Sequence, residues 1–212
     1  MNKTYTLCLL LIFTSSLLAQ YEFRTSMGLN FTAIPSVRDY INQNFAGADQ
    51  LRSFSSSVEF AFEAGYEFNR DYQVGLEVAY ETNSFTFTYF PSNYVFDYSI
   101  LSPSLLGYYI IKGDGYKFKL GGGAGPRLIT VEETKYTNQP IKYNSTGFGF
   151  VLKADGNTRL SKIVYAFIGV DLRYNLCGEP KGDNSSSIIH NGNNLNIKSI
   201  STGIKLGVSV IF

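Results

Sequence analysis

The chain alternates between apolar and polar residues almost from end to end. At its end, Ile200, Thr202, Ile204, Leu206, Val208, Val210 and Phe212 share one face. Ser201, Gly203, Lys205, Gly207, Ser209 and Ile211 share the other. A side-chain period of two is the period of a β-strand, with one apolar face and one small or charged face. The pattern recurs upstream and predicts eight strands in all. The first, 23–31, sets Phe23, Met27, Leu29 and Phe31 against Arg24, Ser26, Gly28 and Asn30. The second sets Val58, Phe60, Phe62, Ala64, Tyr66 and Phe68 against Glu59, Ala61, Glu63, Gly65 and Glu67. The third sets Tyr72, Val74, Leu76, Val78 and Tyr80 against Gln73, Gly75, Glu77, Ala79 and Glu81. The fourth has Leu101, Pro103, Leu105, Tyr109 and Ile111 opposed to Ser102, Ser104, Leu106 and Tyr108. The fifth has Tyr116, Phe118, Leu120, Ala124 and Leu128 opposed to Lys117, Lys119, Gly121, Gly123 and Arg127. The sixth has Phe148, Phe150, Leu152 and Ala154 opposed to Gly147, Gly149, Val151, Lys153 and Asp155. The seventh has Val164, Ala166, Ile168, Val170, Leu172 and Tyr174 opposed to Tyr165, Phe167, Gly169, Asp171 and Arg173.

The connections alternate too. Short turns follow the second, fourth and sixth strands, at Asn69-Arg70-Asp71, Lys112-Gly113-Asp114-Gly115 and Leu160-Ser161-Lys162. Longer segments follow the first, third, fifth and seventh. Residues 33–53 hold a candidate short helix from Ser36 to Phe45, the fourth strand returns after Phe90-Pro91-Ser92-Asn93, Glu132 to Tyr143 reads as a polar loop, and 178–194 is rich in Gly, Asn and Ser. A soluble barrel or sandwich buries its apolar face. Here the glycines and charges fit a narrow interior, and a continuous apolar band faces outward. Lipid offers no hydrogen-bond partner to a free sheet edge, so such a sheet must close. The pattern predicts an all-β, eight-stranded antiparallel up-and-down transmembrane β-barrel, with strand eight closing against strand one.

The start of the chain changes the compartment. Lys3, an apolar run from Leu7 to Phe13 and Leu17-Leu18-Ala19 before Gln20 have the layout of a secretory signal peptide over residues 1–19, leaving a barrel over 20–212. Cleavage there removes Lys3 and no acid, so 17 basic residues face 17 acidic ones. That balance gives no basic excess for nucleic acid. Only Cys177 remains, so no internal disulfide forms.

The whole mature stretch resembles the small eight-stranded outer-membrane barrels of the OmpX and OmpA type, the generic outer-membrane beta-barrel domain or porin-family proteins. The sharpest motif is the terminal pattern polar-x-Gly-x-x-apolar-x-aromatic, filled by Lys205, Gly207, Val210 and Phe212. The resemblance implies that this is the signal read by the outer-membrane insertion machinery. It also implies a monomer in the outer-membrane lipid of a Gram-negative cell envelope, with both termini periplasmic and no cofactor or metal.

Eight strands enclose an interior just wide enough for side chains to fill. The inward charges are Arg24, Glu59, Glu63, Glu67, Glu77, Glu81, Lys117, Lys119, Arg127, Lys153 and Lys205. Acids gather on strands two and three, and bases come from strands across the cylinder. Buried charges must be paired or hydrated. Two readings follow: a salt-bridge network that plugs the lumen, or a narrow wet path for ions or small hydrophobic molecules. A hairpin centred on Pro91-Ser92 sets Phe85 against Tyr98, Phe87 against Phe96 and Tyr89 against Tyr94, with Gly75 against Tyr108 and Glu77 against Leu106 below. All six aromatics keep lumen-side parity. They read either as stiffening for the hairpin or as an external aromatic platform for an extracellular ligand or protein.

Enzyme chemistry finds little support. His190 is the one histidine, with Ser187 nearby in a Gly/Asn-rich loop and no stiff scaffold to orient a general base. Gly121-Gly-Gly-Ala-Gly125 lacks the lysine and helix of a phosphate cradle and reads as a thin wall that lets other side chains in. Asn144-Ser-Thr146 matches a glycosylation acceptor only by spacing, and Cys177 reads as a small apolar residue. The expectation is a non-enzymatic barrel with a structural or surface-interaction role through its external loops. The alternatives are a narrow channel and, behind it, a lipid-modifying enzyme.

Overall fold

The computed structural model describes residues 20–46, 50–89, 92–135, 139–182, 186–190 and 193–212. The signal peptide expected over 1–19 lies outside the described residues. Eight long strands build the wall: β1 (Gln20–Ala33), β2 (Ser55–Glu67), β3 (Tyr72–Tyr89), β4 (Ser92–Gly113), β5 (Tyr116–Lys135), β6 (Ile141–Arg159), β7 (Val164–Cys177) and, at the end of the chain, β11 (Ser199–Ile211). Between β7 and β11 lie three two-residue strands, β8 (Lys181–Gly182), β9 (Ile189–His190) and β10 (Asn193–Asn194). Each long strand pairs antiparallel with its chain neighbours, and β11 pairs with both β7 and β1, which closes the cylinder. The closing register runs from Glu22 opposite Ile211 to Ala33 opposite Ile200.

The short turns share one rim with the ends of β1 and β11. There the Tyr21 and Phe212 backbones exchange hydrogen bonds at 2.9 and 3.3 Å. Outward rings cluster at this rim. Tyr21 lies 5.4 Å from Tyr66, Phe23 lies 6.3 Å from Phe212, and Tyr72 lies 5.6 Å from Tyr109, centroid to centroid. This is the aromatic girdle of a barrel at the membrane–water boundary.

The strands differ in length. β1, β2, β7 and β11 run 13 or 14 residues, whereas β3 to β6 run 18 to 22. About 9–11 tilted residues cross a bilayer, so β3 to β6 stand well above it. β2 leaves β3 at the pair Val58 and Thr82, yet β3 and β4 stay paired up to Tyr89 and Ser92. The expected polar loop 132–143 is mostly sheet for the same reason, because β5 reaches Lys135 and β6 begins at Ile141.

The hairpin register also differs from expectation. Phe85 pairs with Phe96, Phe87 with Tyr94, and Asn83 with Tyr98, while Gly75 meets Leu106 and Glu77 meets Ser104. The hairpin is centred one position earlier in the chain. That shifts each partner by two residues, which leaves every side chain on its expected face.

The tall wall shelters α1 (Pro35–Asn44), matching the candidate helix. Proline at its first position has its φ preset for a helix and wastes no N–H bond. Val37, Tyr40 and Ile41 fall on one stripe and are buried. The stripe faces into the barrel mouth.

Candidate functional site

Two layers fill the cylinder. The lower is ionic. At the short-turn rim, the Glu67 carboxylate accepts from Lys112 at 2.5 Å and Lys117 at 2.7 Å. Next, Arg24 donates to Asp155 at 2.5 Å, to Asn157 at 3.0 Å and to Glu22 at 3.2 Å, and its guanidinium lies 4.1 Å from the centre of the Phe167 ring. Lys119 reaches Glu22 at 3.3 Å and Glu63 at 3.7 Å. Glu63 also accepts from Lys153 at 3.1 Å and from the Tyr108 hydroxyl at 2.8 Å, and Lys153 continues to Glu77. Arg173 then ties Glu77 at 2.9 Å, Glu59 at 3.0 Å and Asp171 at 2.9 Å. Lys205 completes the layer on Glu59 at 2.8 Å and on Asn30 Oδ1 at 2.5 Å.

These links cross the lumen, from β1 and β2 to β5, β6, β7 and β11. Lys119 and Arg127 are 0% exposed and Arg173 is 2% exposed. Glycines make the room. A Cβ on Gly121 would strike the Tyr108 ring, and one on Gly149 would strike the Arg127 guanidinium and Asn175. The glycine run is a thin wall, as its sequence suggested.

Of the inward charges expected from the sequence, Arg24, Glu59, Glu63, Glu67, Glu77, Lys117, Lys119, Lys153 and Lys205 join this network. Two behave differently. Glu81 is held by neutral donors, Thr32 and Ser57 at 2.7 Å and Asn30 at 3.1 Å. Arg127 donates to Asn175 Oδ1 at 2.7 Å, to Ser104 at 3.1 Å and to carbonyls of its own strand. Among the described residues neither has an oppositely charged partner. Both sit at the top of the ionic layer, where the apolar layer begins. The sequence-based set also missed members. Glu22, Asp155, Asp171 and Arg173 are network residues, and inward parity on β1, β6 and β7 was the signal that finds them.

The upper layer is apolar. Val37, Tyr40 and Ile41 of α1 share one buried cluster with Tyr94, Phe96, Tyr98, Ile100, Ile129, Val131 and Tyr143, and with Ile188, Leu195 and Ile197 of the last connection. The Phe45 and Tyr94 rings stack at 3.6 Å and 7°. One carboxylate pins the cap: Glu133 accepts from the Tyr40 hydroxyl at 2.6 Å and the Tyr94 hydroxyl at 2.9 Å, with Lys135 at 3.1 Å. Burial, reinforced by the Glu133 carboxylate, raises the Tyr40 pKa above that of an ordinary tyrosine.

This layer corrects the picture of an external aromatic platform. Tyr94, Phe96 and Tyr98 are 0–2% exposed and form the lining of a closed core. Phe85 and Phe87 are half-buried against it. Tyr89 ends β3 opposite Ser92. Tyr94, Phe96 and Tyr98 keep their lumen-side parity, but they pack in one core with α1; the Tyr89 side chain lies outside the described residues. Cys177 is buried in the same core as a free thiol. His190 pairs through its backbone with Asn193 rather than lying in open loop.

A closed barrel with an apolar exterior and a charged interior defines a transmembrane β-barrel. The chain belongs to the outer membrane protein beta-barrel domain family, whose model matches residues 5–212. It is an outer-membrane barrel, and residence in that bilayer follows from the family. No curated protein matches the chain. Solved structures share the fold. The Neisserial surface protein A is 11% identical, with 90% of this chain and 96% of that one covered at a TM-score of 0.53. Ail, the attachment invasion locus protein of Yersinia pestis, in complex with the heparin analogue sucrose octasulfate, is 12% identical over 92% and 100% at 0.55. A major outer membrane protein of Thermus thermophilus is 12% identical over 91% and 99% at 0.56.

Proposed function

We propose that this protein is a non-enzymatic, non-conducting outer-membrane barrel that presents a folded cap and a polar wall at the cell surface, in a structural or surface-interaction role. The observation that carries this reading is the inaccessibility of the mid-lumen charges. Solvent does not reach Lys119 or Arg127, and a conducting path needs hydrated walls. The apolar core around α1 adds a second obstruction above the first. Single-channel recording on the purified barrel in planar bilayers tests it. The expected trace is silent, and steady conductance transfers the role to the channel reading.

The surface role rests on the wall above the bilayer, and its partner is an extracellular ligand or protein. Ail shares the fold and lends no more than that. The short turns and both ends of the barrel share one rim, which supports periplasmic termini. Val210 and Phe212 lie at that rim, with Val210 paired to Phe23 and the Phe212 ring packed beside it, which supports the terminal pattern as the insertion signal. Deleting Phe212 is expected to block delivery to the outer membrane while leaving refolded barrel stable. Normal delivery without it removes that role.

A further inference from the structure

A cavity of about 230 Å³ opens at the short-turn rim, between the β4–β5 turn and the start of β7. Lys112, Lys117 and Arg159 line it together with Asp114, Tyr116 and Tyr165. Its charges do not balance. Lys112 and Lys117 share the single Glu67 carboxylate, at 2.5 and 2.7 Å. The nearest acid to Arg159 is Asp114, 3.7 Å away and fully exposed to solvent. Water weakens that last pair, so its attraction holds little of the Arg159 charge. Three cations therefore meet two carboxylates around the space, the buried Glu67 and the solvent-exposed Asp114.

The backbone around the cavity is fixed. The Arg159 N–H donates to the Gly115 carbonyl at 2.9 Å, which locks β6 to the turn. Gly115 takes a φ of 81°, the left-handed conformation that the two-residue turn requires. Lys117 is buried and lies 5.5 Å from the centre of the Tyr165 ring. The rim carries the outward aromatic girdle, so the cavity sits at the level of lipid headgroups.

We propose that this cavity is a phosphate site, occupied by the phosphate of a membrane-lipid headgroup. A phosphate supplies the missing negative charge and oxygens enough for Arg159, Lys112 and Lys117 at once, and guanidinium matches it with two parallel N–H bonds. Tyr116, outward on the girdle, marks where the acyl chains leave toward the apolar band. The proposal rests on membrane embedding and stands apart from whether the lumen conducts.

Native mass spectrometry on the full barrel in a phosphate-free detergent tests it, with phosphatidylglycerol, diacylglycerol and inorganic phosphate as probes. Phosphatidylglycerol is expected to stay bound and diacylglycerol to leave. The double variant Lys112→Gln/Arg159→Gln is expected to cut retention at least tenfold. Arg159→Gln alone, whose acid partner is in solvent, gives a milder loss and keeps the test readable if the double variant folds badly. Lys162→Gln, on the same rim but outside the cavity, is expected to retain lipid as the parent does. An equal loss in Lys162→Gln reduces the effect to general surface charge and overturns the site. Displacement of the lipid by low inorganic phosphate assigns the cavity to a soluble phosphate and overturns the lipid occupant.

Discussion

Strand β3 crosses two solvents without turning over. Below, its outward residues are Tyr72, Val74, Leu76, Val78 and Tyr80, all largely exposed, and its inward residues include Gln73, Glu77 and Glu81. Above, the outward positions become Thr82, Ser84, Thr86 and Thr88, and the inward ones become Phe85 and Phe87. β4 makes the same change in reverse order, with Asn93, Asp97 and Ser99 outward against Tyr94, Phe96 and Tyr98 inward. Parity is constant while polarity inverts. The lower half is an inside-out protein with ions within and an apolar coat. The upper half is an ordinary soluble sandwich of sheet and helix. Near Tyr80 and Thr82, level with Leu101 and Ser99, the outward face changes from apolar to polar, as it must where lipid gives way to water.

Five substitutions sharpen this contrast. Arg173→Ala strips three carboxylates of a shared buried cation and is expected to cost about 3–5 kcal/mol. Urea unfolding in vesicles, followed by heat-modifiable gel migration, reads that loss in the whole barrel. Phe96→Ala empties the upper core and costs about 3–5 kcal/mol locally. The expected signature is new protease cleavage within 35–46, with gel migration of the barrel unchanged; a simultaneous loss of the barrel would make the two halves one cooperative unit. Leu76→Lys and Thr86→Lys compare the outer faces of one strand. The first is expected to destabilise by about 2–4 kcal/mol and the second by within about 0.5 kcal/mol, both from the same urea titration. Equal effects would move the bilayer boundary. Tyr40→Phe probes the cap alone. It removes one of two hydroxyl donors to the buried Glu133 carboxylate and should loosen the cap by about 1–3 kcal/mol, visible as faster amide exchange in α1.

Much of the lower half was legible in the sequence, because lipid imposes a strict period of two and closure follows from backbone chemistry. The inward faces, the short turns, the closing strand and the α1 helix were all readable. The β3–β4 register was not. Two registers that differ by two residues keep every side chain on its face, so alternation cannot choose between them. The choice comes from packing: Glu77 opposite the small Ser104 leaves room for Lys153 and Arg173 to reach it. The upper core was hidden for a different reason. The aromatics of 85–98 announced their parity, but only the folded position of α1, brought in from another connection, decides whether inward means open or covered. Arg127 and Glu81 read as network members by sign and face; their neutral partners depend on Asn175, Ser104, Thr32 and Ser57 arriving at the right height.

The register between β2 and β3 sets Glu59 directly opposite Glu81 and Glu63 directly opposite Glu77. Like charges facing across a ladder repel, so this hairpin is at odds with itself as an isolated unit. Its remedies lie far along the chain: Lys153 on β6 bridges Glu63 and Glu77, Arg173 on β7 bridges Glu59 and Glu77, and Lys205 on β11 reaches Glu59. The early hairpin thus becomes comfortable only when the late strands come home. Assembly acquires a built-in check on completeness, since a truncated or open intermediate keeps its quarrelling carboxylates and with them a preference for water over lipid.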